Sequence, residues 1–87
     1  MNPKPFIQEF GDKDSSITLV CVHGWGQTHT FWRPLDPLPV RVLAVDLPGF
    51  GQTPPPDGIW GIEEYAEWLE HVIQDANISH PIVIGHS

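Results

Sequence analysis

The sequence has few basic residues, and this shortage narrows the classes of partner open to it. Only four of its 87 residues are Lys or Arg, against eleven Asp or Glu, so the formal net charge at pH 7 is −7. A phosphate backbone or an anionic bilayer surface would repel such a chain. We therefore expect neither nucleic acid nor a membrane among its partners, and its oligomeric state is left open.

Sulfur and long apolar runs are also scarce. Cys21 is the only cysteine, so no disulfide can form within the chain. It lies in the apolar run ITLVCVHG, where a small side chain suits a core strand, and we interpret it as structural rather than reactive. No apolar run is long enough to span a bilayer, and the first residues, MNPKPFIQEFGDKD, lack the apolar segment of a secretory signal. The expected location is the cytoplasm.

Four short segments have the composition of β-strands. FIQEFG alternates roughly between apolar and polar residues and predicts a half-exposed strand. ITLVCVHG, VRVLAVDL and PIVIGHS are nearly continuous apolar runs, which are typical of strands buried on both faces of a parallel sheet. Each of these three runs ends at a polar or glycine-rich turn.

Between the last two strands the sequence predicts an amphipathic helix. Apolar residues recur there at three- and four-residue spacing and form one stripe, which consists of Ile62, Ala66, Leu69, Ile73 and Ala76. The segment THTFWRPL has room for a shorter helix only, because its prolines limit it. Buried strands that alternate with helices predict an α/β fold with a mostly parallel sheet and flanking helices on both faces.

Three conspicuous turns follow the predicted parallel strands, and chemistry in such sheets sits at the carboxyl ends of the strands. HGWG, from His23 to Gly26, permits a sharp turn whose backbone N–H can face a cavity and stabilise an oxyanion. On its own it is equally explained as a tight turn with a structural histidine. DLPGFG follows the next strand, and Asp46 can hold that turn by accepting hydrogen bonds from backbone amides. GHS follows the last strand and puts Ser87 where a nucleophile would stand.

Together and in this order, the three turns resemble those of the α/β-hydrolase-fold serine hydrolases. VHGWG, VDLPGFGQT and VIGHS stand where that family carries its oxyanion loop, its second glycine-rich turn and its nucleophile elbow. HGWG with DLPGFG is most similar to the small carboxylesterases of the pimeloyl-acyl-carrier-protein methyl ester esterase type, and related lactonases and carbon–carbon bond hydrolases share these motifs. The resemblance implies that residues 1–87 are the N-terminal portion of a single α/β-hydrolase domain, incomplete and ending at the nucleophile elbow.

The resemblance also implies roles for individual residues. Ser87 is the nucleophile, the backbone N–H of Trp25 is one oxyanion donor, and the Trp25 indole lines the acyl pocket. A serine at the elbow argues against the dehalogenase and epoxide hydrolase branches, which attack with a carboxylate. The family's second oxyanion donor, catalytic acid and catalytic histidine would all follow residue 87. The remaining motif residues are expected to support the site, namely His23, Gly24, Gly26, Asp46, Gly49, Gly51, Gly85 and His86.

The expected reaction is hydrolysis of an ester or related acyl compound through an acyl-enzyme on Ser87, with no cofactor and no metal. The expected substrate is a small-molecule or acyl-carrier-linked ester. None of the five histidines shows the spacing of metal ligands, and none is expected to replace the downstream base, so the 87-residue chain alone is expected to be inactive. A second hypothesis stays open, that of a natural truncated, non-catalytic module for binding or assembly.

Overall fold

A four-stranded sheet organises residues 3–86, the part of the chain that the computed structural model describes. The strands β1, β2, β3 and β4 lie in the spatial order β1-β3-β2-β4 and comprise Phe6–Gly11, Thr18–Val22, Arg41–Asp46 and Pro81–Gly85 respectively. β1 runs antiparallel to β3, whereas β3, β2 and β4 are mutually parallel. The carboxyl ends of the three parallel strands therefore meet at one edge of the sheet, which we call the carboxyl edge.

Two helices connect the parallel strands. A 3₁₀ helix (His29–Leu35) lies between β2 and β3, and the helix α1 (Ile62–Asp75) lies between β3 and β4. The Thr28 side chain caps the 3₁₀ helix by accepting a hydrogen bond from the N–H of Thr30. Pro34 keeps this helix short because it has no N–H to donate. Neither described helix combines the length and the apolarity that crossing a bilayer requires.

α1 covers one face of the sheet. Its buried residues Trp68 and Val72 pack against Val20 and Val45, which project from neighbouring strands to the same face. The Trp68 indole N–H also donates to the carbonyl of Pro3 at 2.9 Å, and this bond joins the start of the described chain to the helix. A large aromatic side chain thus anchors α1 and still has its polar atom satisfied.

The 3₁₀ helix covers the opposite face. Cys21, Val42 and Ala44 are fully buried there and pack with Trp32 of this helix. The two cores lie on opposite sides of the sheet because successive side chains of a strand alternate in direction. The predicted α/β class, with a mostly parallel sheet and a helix on each face, is confirmed.

The predicted apolar stripe of α1 is only partly correct. Leu69 and Ile73 pack at the margin of the core, but Ile62 is 88% exposed and Ala66 is also exposed. The buried face is rotated by about one residue because the large Trp68, which the stripe omits, occupies the space against the sheet. Ile62 and Ala66 instead line an open apolar groove of about 340 Å³, whose other walls are Val22, Trp25, Leu47, Tyr65 and Leu69.

β4 also departs from the expectation of a strand buried on both faces. It pairs with β2 on one side, and within residues 3–86 no strand pairs with its other side. Ile82 and Val83 are consequently about half exposed, at 51% and 50%. The continuous apolar pattern correctly indicated burial for β2 and β3, which have neighbours on both sides.

The ionisation of the Cys21 thiol makes the burial of this residue testable by the pH dependence of stability. Burial raises the pKa of Cys21 from its ordinary value of 9.0 to about 11. In the unfolded chain the thiol ionises first as pH rises, so its contribution to stability is fully present below about pH 9 and is lost as pH rises toward 11. We expect the unfolding free energy to fall less between about pH 9 and pH 11 in Cys21→Ala than in the parent protein. Urea denaturation at several pH values measures this difference.

The same residue should be protected from thiol reagents. At pH 8 we expect Ellman's reagent to react with Cys21 slowly in the native protein and rapidly in urea. The Cys21→Ala variant supplies the baseline to be subtracted. Equal rates in the native and unfolded protein would contradict the burial of this side chain.

Candidate active site

The turn after β2 is a type II β-turn of residues 24–27. The Gln27 N–H donates to the Gly24 carbonyl at 3.0 Å, and Gly26, in the third position, has a φ of +79°. Gly24 is required for a different reason. A Cβ at this position would lie 2.9 Å from the His86 carbonyl oxygen and 3.0 Å from Oε1 of Gln27. The turn therefore lies tightly against the end of β4.

Trp25 occupies the second position of this turn. Among residues 3–86 its backbone N–H has no hydrogen-bond acceptor. Its indole is 83% exposed and makes an edge-to-face contact with Phe50, with ring centroids 4.9 Å apart. An N–H without an acceptor and an apolar surface thus occur together at the carboxyl edge, as the sequence pattern predicts. The assigned oxyanion role itself stays a prediction.

His23 joins the end of β2 to the end of β3. Its ring is almost fully buried, with Nδ1 2.8 Å from the Gly24 carbonyl and Nε2 3.1 Å from the N–H of Leu47. A backbone N–H can only donate, so Nε2 accepts and Nδ1 carries the hydrogen that bonds Gly24. Both ring nitrogens are therefore occupied, and His23 is a structural tie rather than a base.

Asp46 is the buried charge around which the second glycine-rich turn folds. Its carboxylate accepts from the N–H groups of His29 at 2.6 Å and Gln52 at 2.9 Å, and His29 Nδ1 lies 2.9 Å from Oδ2. Gly51 has a φ of +54°, and a Cβ there would collide with this carboxylate. Gly49, with a φ of +90°, likewise adopts a backbone conformation that side chains disfavour. A carboxylate with no exposure needs such partners.

The His29–Asp46 pair has the composition of a catalytic acid–base pair, but it lies away from β4. The His29 ring packs on Phe6 of β1, with centroids 4.8 Å apart. Asp46 ends β3, and β2 lies between β3 and β4, so the Asp46 position is two strand spacings or about 10 Å from β4. The pair therefore supports the turn at Asp46 and is poorly placed to act on a group that follows β4.

The chain after β4 is held by its backbone and by the ring of His86. The His86 N–H donates to the Val22 carbonyl at 3.0 Å, and the ring stacks on Phe31 with centroids 4.2 Å apart. A Cβ on Gly85 would meet no described atom within 4 Å, so nothing in residues 3–86 requires glycine there. Ser87, the predicted nucleophile, lies outside the described residues, and its role stays a prediction.

Several residues that shape this edge carry no signal in the sequence. His29 contacts Asp46 across 17 positions, Gln27 contacts His86 across 59, and the Thr53 hydroxyl accepts from the Phe6 N–H across 47. Only an alignment or a structure could reveal such distant pairs. No group of three or more His, Cys, Asp or Glu side chains in residues 3–86 is placed to hold a metal ion.

Comparison with known proteins gives matches along most of the chain. The profile of the family described as "Alpha/beta hydrolase family" matches residues 19–87. A 1-acylglycerol-3-phosphate O-acyltransferase of Arabidopsis thaliana is 34% identical over 90 residues, which cover 90% of this chain and 21% of that protein. A pimeloyl-[acyl-carrier protein] methyl ester esterase of Legionella pneumophila (strain Paris) is 45% identical over 41 residues, which cover 44% of this chain and 17% of that protein.

Among solved structures, a haloalkane dehalogenase from Bradyrhizobium elkani is similar to this chain with a TM-score of 0.87. The match covers 99% of this chain and 30% of the other, at 24% identity, and at that identity it shows the fold alone. The chain thus spans about a fifth of the length of the two curated relatives and under a third of the solved structure.

Two glycine substitutions distinguish the destabilisation caused by backbone strain from the destabilisation caused by steric collision at the carboxyl edge. Gly26→Ala places a Cβ at positive φ in open space, and we expect it to lower the unfolding free energy by about 1–2 kcal/mol. Gly51→Ala has the same strain and also pushes against the Asp46 carboxylate, so we expect a further loss of roughly 1–3 kcal/mol. Urea denaturation of both variants measures the difference. Equal losses would show that the turn relaxes without disturbing Asp46.

Proposed function

Because the chain belongs to the alpha/beta hydrolase family, we propose that the protein is a serine hydrolase that cleaves a carboxylic ester through an acyl-enzyme on Ser87. The observation that carries this proposal is the Trp25 N–H, which has no acceptor among residues 3–86 and lies in the turn that follows β2. β2 is the direct neighbour of β4, the strand that leads into Ser87. A fixed donor beside the nucleophile can stabilise the oxyanion of the tetrahedral intermediate.

The proposed reaction has two steps that share this donor. The Ser87 oxygen attacks the ester carbonyl, its proton passes to a base, and the alcohol leaves with a proton from that base. Water then attacks the acyl-enzyme by the same route and releases the acid. His23 has both nitrogens occupied, and His29 is bonded to Asp46 of β3, which β2 separates from β4, so neither suits the role of base. We assign the base to the protein outside residues 3–86.

The proposed substrate is a small-molecule or acyl-carrier-linked ester with an apolar acyl chain. The exposed indole of Trp25 offers apolar surface directly beside the proposed oxyanion donor. The likeness to a pimeloyl-[acyl-carrier protein] methyl ester esterase supports this substrate class, because the name of that enzyme specifies a carboxylic ester. Serine at the elbow distinguishes the proposal from a carboxylate-based dehalogenase, and the dehalogenase likeness is one of fold only.

A second candidate function is transfer of the acyl group to an alcohol. The likeness to a 1-acylglycerol-3-phosphate O-acyltransferase extends over 90% of the chain and favours this reading. The two functions share the acyl-enzyme and differ in whether water or a hydroxyl compound accepts the acyl group. Incubation with an activated acyl ester and 1-acylglycerol-3-phosphate distinguishes them, since hydrolysis releases free acid and transfer yields a diacyl product.

A fluorophosphonate probe tests the nucleophile. We expect the probe to label Ser87 in the full-length protein, which includes the base, because an activated serine at an oxyanion site attacks phosphorus as it attacks a carbonyl. Ser87→Ala should abolish labelling, whereas Ser79→Ala, which changes an exposed serine just before β4, should leave it unchanged. Mass spectrometry of the labelled peptide identifies the site. Labelling that survives Ser87→Ala would refute the nucleophile, and absence of labelling in the folded parent protein would favour the non-catalytic module.

A proline substitution tests the oxyanion donor. Trp25→Pro removes the N–H, and the second position of a type II turn accommodates proline, so the turn should persist. We expect kcat to fall by roughly 10²–10³-fold, as for loss of other oxyanion donors. Trp25→Ala and Trp25→Phe keep the N–H and should mainly change the preference between short and long acyl esters.

The comparison uses kcat for esters of both lengths, after circular dichroism has shown that each variant is folded. Near-parental turnover by folded Trp25→Pro would exclude the donor role. HGWG would then serve only as a tight turn.

A further inference from the structure

The side-chain carbonyl of Gln27 connects the two proposed parts of the active site. Oε1 of Gln27 lies 2.8 Å from the N–H of Gly24, which donates to it, and 3.1 Å from Nδ1 of His86. We infer that Gln27 is a positioning residue that holds the turn carrying the proposed oxyanion donor against His86 at the end of β4, the strand that leads into the proposed nucleophile. This inference rests on the proposed function and adds to it a residue that touches neither substrate nor the reacting atoms.

The hydrogen bonds at Gln27 define which atom of its side-chain amide faces Gly24 and which ring nitrogen of His86 carries hydrogen. The Gly24 N–H is a donor only, so the side-chain oxygen rather than the nitrogen of Gln27 faces it. That oxygen has two lone pairs, and the second accepts from His86, whose Nδ1 must therefore carry hydrogen. The backbone N–H of Gln27 meanwhile donates to the Gly24 carbonyl, so the side chain and the turn hold each other in one arrangement.

The two groups that Gln27 holds each directly precede a proposed functional group. Gly24 comes before Trp25, which supplies the proposed oxyanion donor, and His86 comes before Ser87. One oxygen atom thus spans the ends of β2 and β4, and 59 residues of sequence separate its side chain from His86.

Three other features restrict movement at this point. Phe31 stacks on the His86 ring and fixes its plane. The His86 N–H donates to the Val22 carbonyl, so the backbone of β4 continues in register with β2 as far as His86. The absence of a Cβ on Gly24 lets the His86 carbonyl approach the turn closely. These contacts hold the ends of β2 and β4 close together. If the two ends moved apart, the hydrogen bonds that Gln27 makes to Gly24 and His86 would break.

The kinetic experiment compares Gln27→Leu with Gln27→Glu in the full-length protein, which includes the base. Leucine has a similar size but no acceptor, so the Gly24 N–H and the His86 ring lose their shared partner. We expect kcat to fall by about 10–100-fold with little change in KM, since an error of about 1 Å in the placement of reacting groups can reduce the rate 10²-fold. Glutamate keeps the acceptor oxygen and should restore most of kcat. A merely structural role would predict no such recovery of kcat at constant KM.

A second measurement does not depend on activity. Nitrogen-15 NMR of the histidine rings should show His86 with hydrogen on Nδ1 in the parent protein and in Gln27→Glu. In Gln27→Leu the hydrogen should move toward Nε2, the nitrogen that carries it in most free imidazole side chains. If Gln27→Leu does not fold, the tautomer of the parent protein and the kinetics of Gln27→Glu still decide the question.

The outcomes separate this inference from the proposed function. If the parent protein hydrolyses esters and is labelled on Ser87, but Gln27→Leu keeps its kcat or His86 carries hydrogen on Nε2, the role of Gln27 is refuted and the function stands. If the folded parent protein neither turns over esters nor reacts with fluorophosphonate, the proposed function fails, and the positioning role fails with it. A loss of kcat in Gln27→Leu, recovery in Gln27→Glu and an Nδ1–H tautomer together support the inference.

Discussion

The described structure depends on side chains that hold the carboxyl ends of three parallel strands together. Parallel pairing brings the ends of β2, β3 and β4 to one edge, but the pairing stops where the turns begin. Beyond that point His23 joins β2 to β3 through Leu47, and Gln27 joins β2 to β4 through His86. The three turns therefore form one connected unit rather than three independent loops.

The same unit explains the residues that tolerate little change. Asp46 is a charge with no exposure, and it is stable there only because two backbone amides and the His29 ring surround its carboxylate. Gly51 must lack a side chain so that the turn can close on that carboxylate, and Gly24 must lack one so that β4 can approach. Each of these requirements comes from close approach of one turn to a charge or to another strand end.

Among residues 3–86, the N–H of Trp25 is not used by this hydrogen-bonded unit. The N–H groups of Gly24, Gln27, Leu47 and Gln52 all donate to acceptors within the unit, whereas those of Trp25 and of the next residue, Gly26, have none among residues 3–86. A donor that a rigid surrounding leaves unmatched is preorganised for an external acceptor, which is the condition for electrostatic stabilisation of an oxyanion. The fold and the site are therefore connected by the same hydrogen bonds.

The sequence alone was enough to predict the strands, the main helix, the α/β class and the family, because these follow from local periodicity and from motifs of a few adjacent residues. The same local reading predicted the stripe of α1 only in part and treated β4 as fully buried, since the face that a helix buries and the neighbours of a strand depend on distant parts of the chain. The bridges of His29 to Asp46 and of Gln27 to His86 could not be predicted in this way, because they span 17 and 59 positions and because His29 and Gln27 belong to no motif. Folding alone brings such residues within hydrogen-bonding distance, so the sequence indicated which residues make up the candidate site, and the tertiary structure decided how they are connected.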